Sequence, residues 1–197
     1  MNSVHARSNT RSTSAATLAL YEYIVAQFGH PRGFWGRVAG QIMAHRPSNR
    51  TRSRWVVDLL DIQPMDRVLE LGCGPGVALE LLSQRAHRGF VAGIDHSTVV
   101  VDQAQRRNAR AIREGRVYVL QDSVEQLCSS AQPAPFDKII AINTHMFWPN
   151  PQTALRQLSS LLKANGTIAI AQQPRDRHAS DAAAQRAGAE MAHLLEQ

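Results

Sequence analysis

The chain has 197 residues, 44% of them apolar, which is enough for one globular domain with its own core. No apolar run approaches the ~18 residues of a membrane helix, and the polar first twenty residues lack a signal core, so we predict a cytoplasmic protein with no membrane partner. Cys73 and Cys128 give neither a disulfide framework nor a metal-ligand spacing, and we predict no metal site.

The net charge of +6 is concentrated at the N-terminus, because residues 1–54 contain eight arginines and a single acidic residue, Glu22. Such a basic segment is typical of proteins that bind nucleic acid or an acidic substrate. The alternative is a solvated arginine-rich face. We favour this alternative, since arginine outnumbers lysine 20 to 2 over the whole chain.

The N-terminal part is predicted to be helical after a disordered start. Residues 1–14 contain few large apolar groups and are expected to form a disordered basic arm. Apolar residues recur at helical spacing over 15–28, and a second short helix is expected over 34–43. We therefore predict that residues 15–54 form a helical cap in front of a core that spans 55–197.

From residue 50 onward the chain alternates helical and strand patterns, which is typical of a parallel sheet covered on both faces. The strand patterns lie at 67–71, 90–94, 116–120, 137–142 and 166–172. The helix patterns lie at 50–61, 76–86, 97–113, 123–129, 151–163 and 179–195. The predicted fold class is therefore an α/β, Rossmann-like three-layer α/β/α sandwich with a mostly parallel sheet.

The first strand pattern leads into the most informative motif, Glu70-Leu71-Gly72-Cys73-Gly74-Pro75-Gly76. Three glycines at alternate positions allow backbone angles closed to other residues and let a ligand approach the main chain. A strand, a glycine turn and a helix start together predict a nucleotide-like ligand. The G-x-G-x-G spacing differs from the G-x-G-x-x-G of dinucleotide sites, which argues against a nicotinamide cofactor.

Residues 70–76 resemble the first motif of class I S-adenosylmethionine-dependent methyltransferases, an acidic residue followed by G-x-G-x-G. The segments 93–97, 121–124, 136–143 and 161–170 follow in the order of that family's later strands. The resemblance covers about residues 55–172 and implies S-adenosylmethionine as cofactor. Family members usually have seven strands, whereas five are present here. The expected sheet therefore lacks the C-terminal strand hairpin, which we interpret as truncation, and its free edge could pair homo-oligomers.

The resemblance implies a role for each residue of the first two strand ends. Gly72, Gly74 and Gly76 would pass close to the methionine part of the cofactor, and Glu70 would anchor its amino group. Asp95 would accept the ribose hydroxyls with both carboxylate oxygens. Bracing of the turn is the alternative for Glu70, and capping of the next helix is the alternative for Asp95.

The later strand ends are assigned in the same way. His96 would flank the adenine, Asp122 would accept from the adenine amino group, and Ser123 would lie close by. Helix capping is the alternative for both Asp122 and Ser123. Asn143, which ends the fourth strand, would complete the cofactor site at the carboxyl edge of the sheet.

The methyl acceptor would bind between the cap and the segment after the fourth strand. His145 is a candidate general base because its side chain titrates near neutral pH, although it could instead only pack or form a hydrogen bond. Phe147 and Trp148 are candidate substrate-binding residues, as are Tyr21 and Trp35 of the cap. Ordinary hydrophobic packing is the alternative for all four.

These observations predict a methyltransferase that transfers a methyl group to an O, N or C nucleophile of a small molecule. A second hypothesis is an RNA, DNA or protein methyltransferase that uses the basic N-terminal segment. A third is an inactive or truncated form that acts as an interaction module through its free sheet edge.

Overall fold

The computed structural model describes residues 15–127, 135–173 and 180–196. The predicted arm at 1–14 lies outside this range. Within it, the strands are β1 (Arg67–Leu71), β2 (Phe90–Asp95), β3 (Val117–Gln121), β4 (Phe136–Ile142) and β5 (Leu162–Ala171). The helices are α1 (Ala15–Ala26), α2 (Gly33–His45), α3 (Pro47–Leu59), α4 (Val77–Arg85), α5 (Thr98–Arg107), α6 (Ala109–Arg113), α7 (Val124–Leu127), α8 (Pro151–Ser160) and α9 (Asp181–Leu195).

The described strands form one sheet, which is parallel throughout and has the order β3-β2-β1-β4-β5. Successive residues of β1 face opposite sides. Val68 packs with α3, α4 and α5, whereas Leu69 packs with α7 and α8. Both side chains are almost completely buried, as expected for a parallel sheet covered on both faces. The predicted α/β three-layer sandwich is confirmed.

In the sheet, β2 lies on one side of β1 and β4 lies on the other. The direction in which successive strands are added therefore reverses, and the point of reversal lies between β1 and β4. Ligands of open α/β sheets bind outside the carboxyl ends of the strands at such a reversal. Two loops meet there: the glycine turn, which follows β1, and the segment 143–149, which follows β4.

The helix expected over 97–113 is two helices, and its prediction as one is wrong. Asn108 separates α5 from α6 with backbone angles of −99° and 14°. Its buried Nδ2 donates to the carbonyl of Ala104, 2.9 Å away, and to that of Gly76, 3.1 Å away. The side chain thus competes for the backbone of its own helix and ties that helix to the glycine turn.

The border between α8 and β5 also differs from the prediction. α8 ends at Ser160, and β5 begins at Leu162, four residues before the expected strand. Leu162 pairs with Phe136, and a register shift then separates this pair from the pairing of Lys138 with Thr167. An irregularity of this kind absorbs the extra residues, so the strand starts in a stretch without a strand pattern. Among the described residues, β5 pairs only with β4.

The helices of the N-terminal part are continuous with the core. α3 runs through residues 54 and 55, where the sequence predicted the border between cap and core. Val56 and Val57 of α3 are buried in the core cluster. None of the helices in the described residues is both long and apolar enough to cross a membrane.

Asp137 connects three strands and yields a stability prediction. Its carboxylate accepts from the backbone N–H of Arg67 and from Nζ of Lys163, each at 2.8 Å. Burial raises the pKa of Asp137, but these two donors outweigh it and hold the pKa below the ordinary 3.8. A lowered pKa stabilises the fold above pH 3.8, and this stabilisation is lost as the pH falls through the folded-state pKa.

Asp137→Asn should therefore lower the free energy of unfolding at pH 7 by about 1 kcal/mol, and the loss should shrink below pH 3.8. Urea unfolding followed by tryptophan fluorescence at several pH values measures both. Asp102→Asn, which removes an exposed ion pair with Arg106, should have little effect. An equal effect of the two substitutions would contradict the role of Asp137.

Candidate functional site

A cavity of about 550 Å³ lies at the carboxyl edge of the sheet, within the range of small-molecule sites. Its walls come from the glycine turn, from the ends of β2, β3 and β4, from α3, and from the loop between α1 and α2. We name this last segment, residues 28–31, the cap loop. The cavity therefore lies where the strand order reverses, with part of the N-terminal cap over it.

The three glycines of the turn have positive φ angles of 68°, 50° and 77°, and each meets a different constraint. A Cβ at Gly72 would lie 2.3 Å from Cγ2 of Thr144, and one at Gly76 would lie 2.6 Å from Nδ2 of Asn108. A Cβ at Gly74 would meet no atom within 4 Å. Gly74 therefore leaves the backbone open to a ligand, whereas the other two allow close packing.

The carboxylate of Asp95 braces the glycine turn against β2. Its Oδ2 accepts from the backbone N–H of Gly74 at 2.9 Å, and its Oδ1 accepts from that of Ser97 at 3.0 Å. The Ser97 hydroxyl caps no helix and donates instead to the carbonyl of Pro31, 2.6 Å away in the cap loop. Asp95 is buried but lines the cavity, and each of its oxygens has capacity for a further hydrogen bond.

Glu70 is a buried carboxylate on the cavity wall. Burial raises its pKa well above the ordinary 4.5, and the nearby charge of Asp95 raises it further, whereas a hydrogen bond to the backbone of Leu79 lowers it. Its Oε2 has no hydrogen-bond partner among the described residues. An acceptor buried in this way favours a cationic or donor group in the cavity.

Asn143 lies at the end of β4 with a left-handed φ of 56°. Its Oδ1 accepts from the backbone N–H of Gln173 at 2.7 Å, and its own N–H donates to Ala171 at 2.8 Å. These bonds hold the ends of β4 and β5 together and fix the orientation of the amide. Its Nδ2 is a buried donor with no partner among the described residues.

Arg52 lines the cavity and was missed by the sequence analysis. Its guanidinium donates to Oδ1 of Asn49 at 2.8 Å and to Oε1 of Gln173. No other Arg or Lys is among the described residues of the cavity wall. Helical spacing could have found it, because Asn49, Arg52 and Val56 share the inward face of α3.

The end of β3 contributes two predicted residues to the cavity wall, Asp122 and Ser123. Oδ1 of Asp122 accepts from the backbone N–H of Ser123 at 2.8 Å, and Oγ of Ser123 accepts from that of Gln126 at 3.3 Å. Both side chains therefore support the start of α7 as well as facing the cavity.

The segment after β4 does not present His145 to the cavity. Its ring is buried, packs edge-on against Trp148 with centroids 6.4 Å apart, and is absent from the cavity wall. Burial lowers the pKa of His145, partly offset by a hydrogen bond with the side chain of Gln172. The 3-10 turn at residues 145–147 instead turns Met146 and Phe147 toward the cavity, together with Trp148.

The cap loop brings a different imidazole to the cavity, that of His30. Its ring centroid lies 4.9 Å from that of His96 and 5.7 Å from that of Phe147. Glycine at position 29 permits this arrangement, because a Cβ there would lie 3.3 Å from the Phe147 ring. His30 was not predicted, since nothing in the local sequence places the cap loop over the sheet.

Two predicted substrate residues of the cap are not brought to the cavity by the described structure. Trp35 is about half exposed on α2 and packs edge-on against Phe34, outside the cavity wall. Tyr21 belongs to α1, but its side chain lies outside the described part of the chain.

A G-x-G-x-G turn and an acidic second-strand end beside one cavity define a nucleotide-type site on a Rossmann-like sheet. The family model described as a methyltransferase domain matches residues 68–166, half of the chain. The chain is 33% identical over 144 residues to the uncharacterized methyltransferase YdaC of Bacillus subtilis, covering 73% of this chain and 75% of that protein. It therefore belongs to the methyltransferase domain family.

A more distant relative is the ubiquinone biosynthesis O-methyltransferase of Alkalilimnicola ehrlichii, 27% identical over 157 residues. This match covers 80% of this chain and 62% of that protein. It includes more of the chain than the family model, which does not reach the N-terminal cap.

Two solved structures share the fold. One is a SAM-dependent methyltransferase from Aquifex aeolicus, with a TM-score of 0.60, 19% identity, and coverage of 80% of this chain and 87% of that one. The other is a SAM-dependent methyltransferase from Thiobacillus denitrificans in complex with S-adenosyl-L-homocysteine, with a TM-score of 0.54, 20% identity, and coverage of 78% and 60%. These two likenesses show the fold, and the family match together with the YdaC relative shows that this chain is a methyltransferase.

Glu70 makes stability depend on pH in a defined direction. Below the ordinary pKa of 4.5 the carboxyl is protonated in both the folded and the unfolded chain. Above it, the unfolded chain ionises first, so the free energy of unfolding falls until the folded-state pKa is reached. Glu70→Gln, which cannot ionise, should be more stable than the wild type near pH 8 by roughly 1–3 kcal/mol, with no such gain near pH 4.

Urea unfolding of the cofactor-free protein across this pH range measures the difference. Glu190→Gln, on an exposed position of α9, is the matched control; it retains Glu70 and should parallel the wild type at every pH. A Glu70→Gln variant that parallels the wild type at every pH would contradict the raised pKa.

Proposed function

We propose that this methyltransferase acts on a small molecule and transfers the methyl group to an O, N or C nucleophile in the cavity at the carboxyl edge of the sheet. The observation that carries the proposal is the pair of buried carboxylates, Glu70 and Asp95, beside the open backbone of Gly74 in one cavity. The similarity to a ubiquinone biosynthesis O-methyltransferase supports a small-molecule substrate. So does the size of the cavity.

The ribose is assigned to Asp95 in this proposal. Its two oxygens already accept from Gly74 and Ser97, which holds the carboxylate in a fixed orientation. The remaining lone pairs can accept the two ribose hydroxyls. Bracing of the turn and binding of the cofactor are therefore compatible roles for one side chain.

The methionine part of the cofactor carries an ammonium and a carboxylate, and the cavity offers a partner for each. The unpartnered Oε2 of Glu70 suits the ammonium. The guanidinium of Arg52 suits the carboxylate, and the buried Nδ2 of Asn143 is a further donor on the same side of the cavity. Gly72 and Gly76 shape the turn, whereas Gly74 lets the ligand approach.

The adenine is assigned to the ends of β2 and β3. The exposed ring of His96 lies on the cavity wall and offers a surface for the adenine plane. Asp122 has one oxygen engaged by Ser123, so its other oxygen is available to accept from the adenine amino group.

S-adenosylmethionine supplies a methyl group on a sulfonium, and a nucleophile aligned with the methyl–sulfur bond takes it. The chain contributes alignment and exclusion of water. Phe147, which packs against the cap loop, and Trp148 give the cavity an apolar wall. We assign proton removal from the acceptor to His30 rather than His145, because His30 lines the cavity and His145 does not.

Arg52 provides a test of the cofactor site. Arg52→Gln should weaken binding of S-adenosylmethionine and of S-adenosylhomocysteine by about 10- to 100-fold, because a charge-assisted hydrogen bond is removed. Decarboxylated S-adenosylmethionine should bind the wild type weakly, and the substitution should not weaken it further. Calorimetry measures all three ligands.

The exposed Arg54 on the same helix supplies the control, since Arg54→Gln should leave all three affinities unchanged. Circular dichroism checks that Arg52→Gln remains folded despite its lost bonds to Asn49 and Gln173. The ratio of the affinities for S-adenosylmethionine and its decarboxylated form is compared between wild type and Arg52→Gln. An equal ratio in both would refute the assignment of the cofactor carboxylate to Arg52.

A methyl-transfer assay tests the function itself. The full chain is incubated with methyl-labelled S-adenosylmethionine and three separate fractions: small metabolites, RNA and protein. Label should enter the small-molecule fraction. Asp95→Asn should reduce this transfer at least about tenfold at low cofactor concentration, whereas Asp102→Asn, on the solvent side of α5, should not. Label confined to RNA or protein would overturn the proposal.

A further inference from the structure

The helix α2 buries its small residues and exposes most of its large apolar ones, with Met43 half-buried at the cavity wall. The residues that it buries are Gly36, Ala39, Gly40 and Ala44. Its four large apolar side chains on the other side, which we name the α2 outer face, are Phe34, Trp35, Val38 and Ile42. Phe34 is 71% exposed, Trp35 47% and Ile42 49%, and Val38 is half-buried.

Close contacts lie on the side of α2 that carries its glycines. A Cβ at Gly36 would lie 2.6 Å from the carbonyl carbon of Pro31, and one at Gly40 would lie 2.0 Å from Oε1 of Gln103. Nε2 of Gln103 also donates to the carbonyl of Arg37 at 2.9 Å. The small residues of α2 thus lie against the cap loop and α5, and its aromatic side chains lie on the other side of the helix.

Positive charge surrounds the exposed aromatic pair. Arg32 and Arg37 lie just before and just after it, both exposed, and no ion pair to either is present among the described residues. Residues 15–54 contain six arginines and one acidic residue, Glu22. Val38 and Ile42 also line a surface groove whose charged residues are Arg37, Arg106, Arg107, Glu80 and Asp102. Arginines therefore outnumber carboxylates at the border of the exposed apolar face, and such a face is typical of an interaction surface.

We propose that the α2 outer face docks onto the surface of an anionic lipid bilayer. Exposed Phe and Trp side chains enter the interfacial region of a bilayer, and arginines at their flanks are attracted to anionic headgroups. This surface binding needs no membrane-spanning helix. The sequence analysis predicted no membrane partner because the outward orientation of α2 follows only from its packing.

Two other occupants fit the face less well. A second copy of the chain would bring Arg32 and Arg37 of both copies together, which is unfavourable for like charges. A nucleic acid would suit the arginines and the aromatic rings, but Val38 and Ile42 continue the face with aliphatic groups that offer no stacking surface.

The proposed docking places the methyltransferase cavity near the lipid surface. The aromatic pair follows directly after the cap loop, in which His30 and Pro31 line the cavity. The proposal stands on the exposure and charge of α2 alone. It does not depend on the identity of the methyl acceptor.

Sedimentation with vesicles tests the proposal on the full chain. Vesicles of phosphatidylcholine with about 30% phosphatidylglycerol should retain the protein, and vesicles of pure phosphatidylcholine should retain it at least tenfold less. Binding to the mixed vesicles should weaken as salt is added. A double variant Phe34→Ser/Trp35→Ser should lose most of the binding, and Arg32→Gln/Arg37→Gln should lose roughly fivefold per arginine.

Met65→Ser is the matched control, because Met65 is 61% exposed but precedes β1 at the opposite edge of the sheet. It should bind like the wild type. Unchanged affinity for S-adenosylhomocysteine shows that each variant is folded, since the α2 outer face is outside the cavity. No retention by the mixed vesicles, or equal retention of wild type and Phe34→Ser/Trp35→Ser, overturns the proposal. The proposal is also overturned if the protein does not bind vesicles but dimerises or binds RNA, and if Phe34→Ser/Trp35→Ser abolishes that dimerisation or RNA binding.

Discussion

The carboxylate of Asp95 joins three parts of the structure that are far apart in the sequence. One oxygen holds the amide of Gly74 in the turn after β1, and the other holds the amide of Ser97 at the start of α5. The Ser97 hydroxyl extends the connection to Pro31 in the cap loop. Because these bonds are largely buried, each is costly to break. These bonds therefore fix the relative positions of the glycine turn, the end of β2 and the cap. The cavity between these three elements depends on those fixed positions.

The strands β1 to β4 were predictable because a parallel sheet covered on both faces favours strands that are short apolar runs in the sequence. The four strands β1 to β4 lie within one residue of their predicted bounds. The errors came from side chains that act on distant backbone. Asn108 interrupts the helix pattern because its amide donates to Gly76, and β5 starts early because Leu162 pairs with Phe136. Neither partner is visible in the local pattern.

The same difference between local pattern and long-range packing separates the site residues that were predicted from those that were missed. Glu70, Asp95, Asp122 and Asn143 end parallel strands, and topology alone brings such residues to one edge. Arg52 and His30 reach the cavity through the packing of the N-terminal helices on the core, which no short motif encodes. His145 was misplaced by the 3-10 turn at residues 145–147, which buries its ring while its neighbours line the cavity. In a tight turn, successive side chains point in different directions. The residue types in this segment therefore could not show which side chain faces the cavity.

The buried Glu70 also bears on the energetics of cofactor exchange. Burial raises the pKa of Glu70 and so favours its carboxylic acid form, whereas an ammonium placed against it would favour the carboxylate. Cofactor binding would then release a proton to the solvent. The heat of binding would vary with the ionisation enthalpy of the buffer, and the apparent affinity would rise with pH over the range in which Glu70 is protonated. A side chain that only braced the turn would show no such coupling.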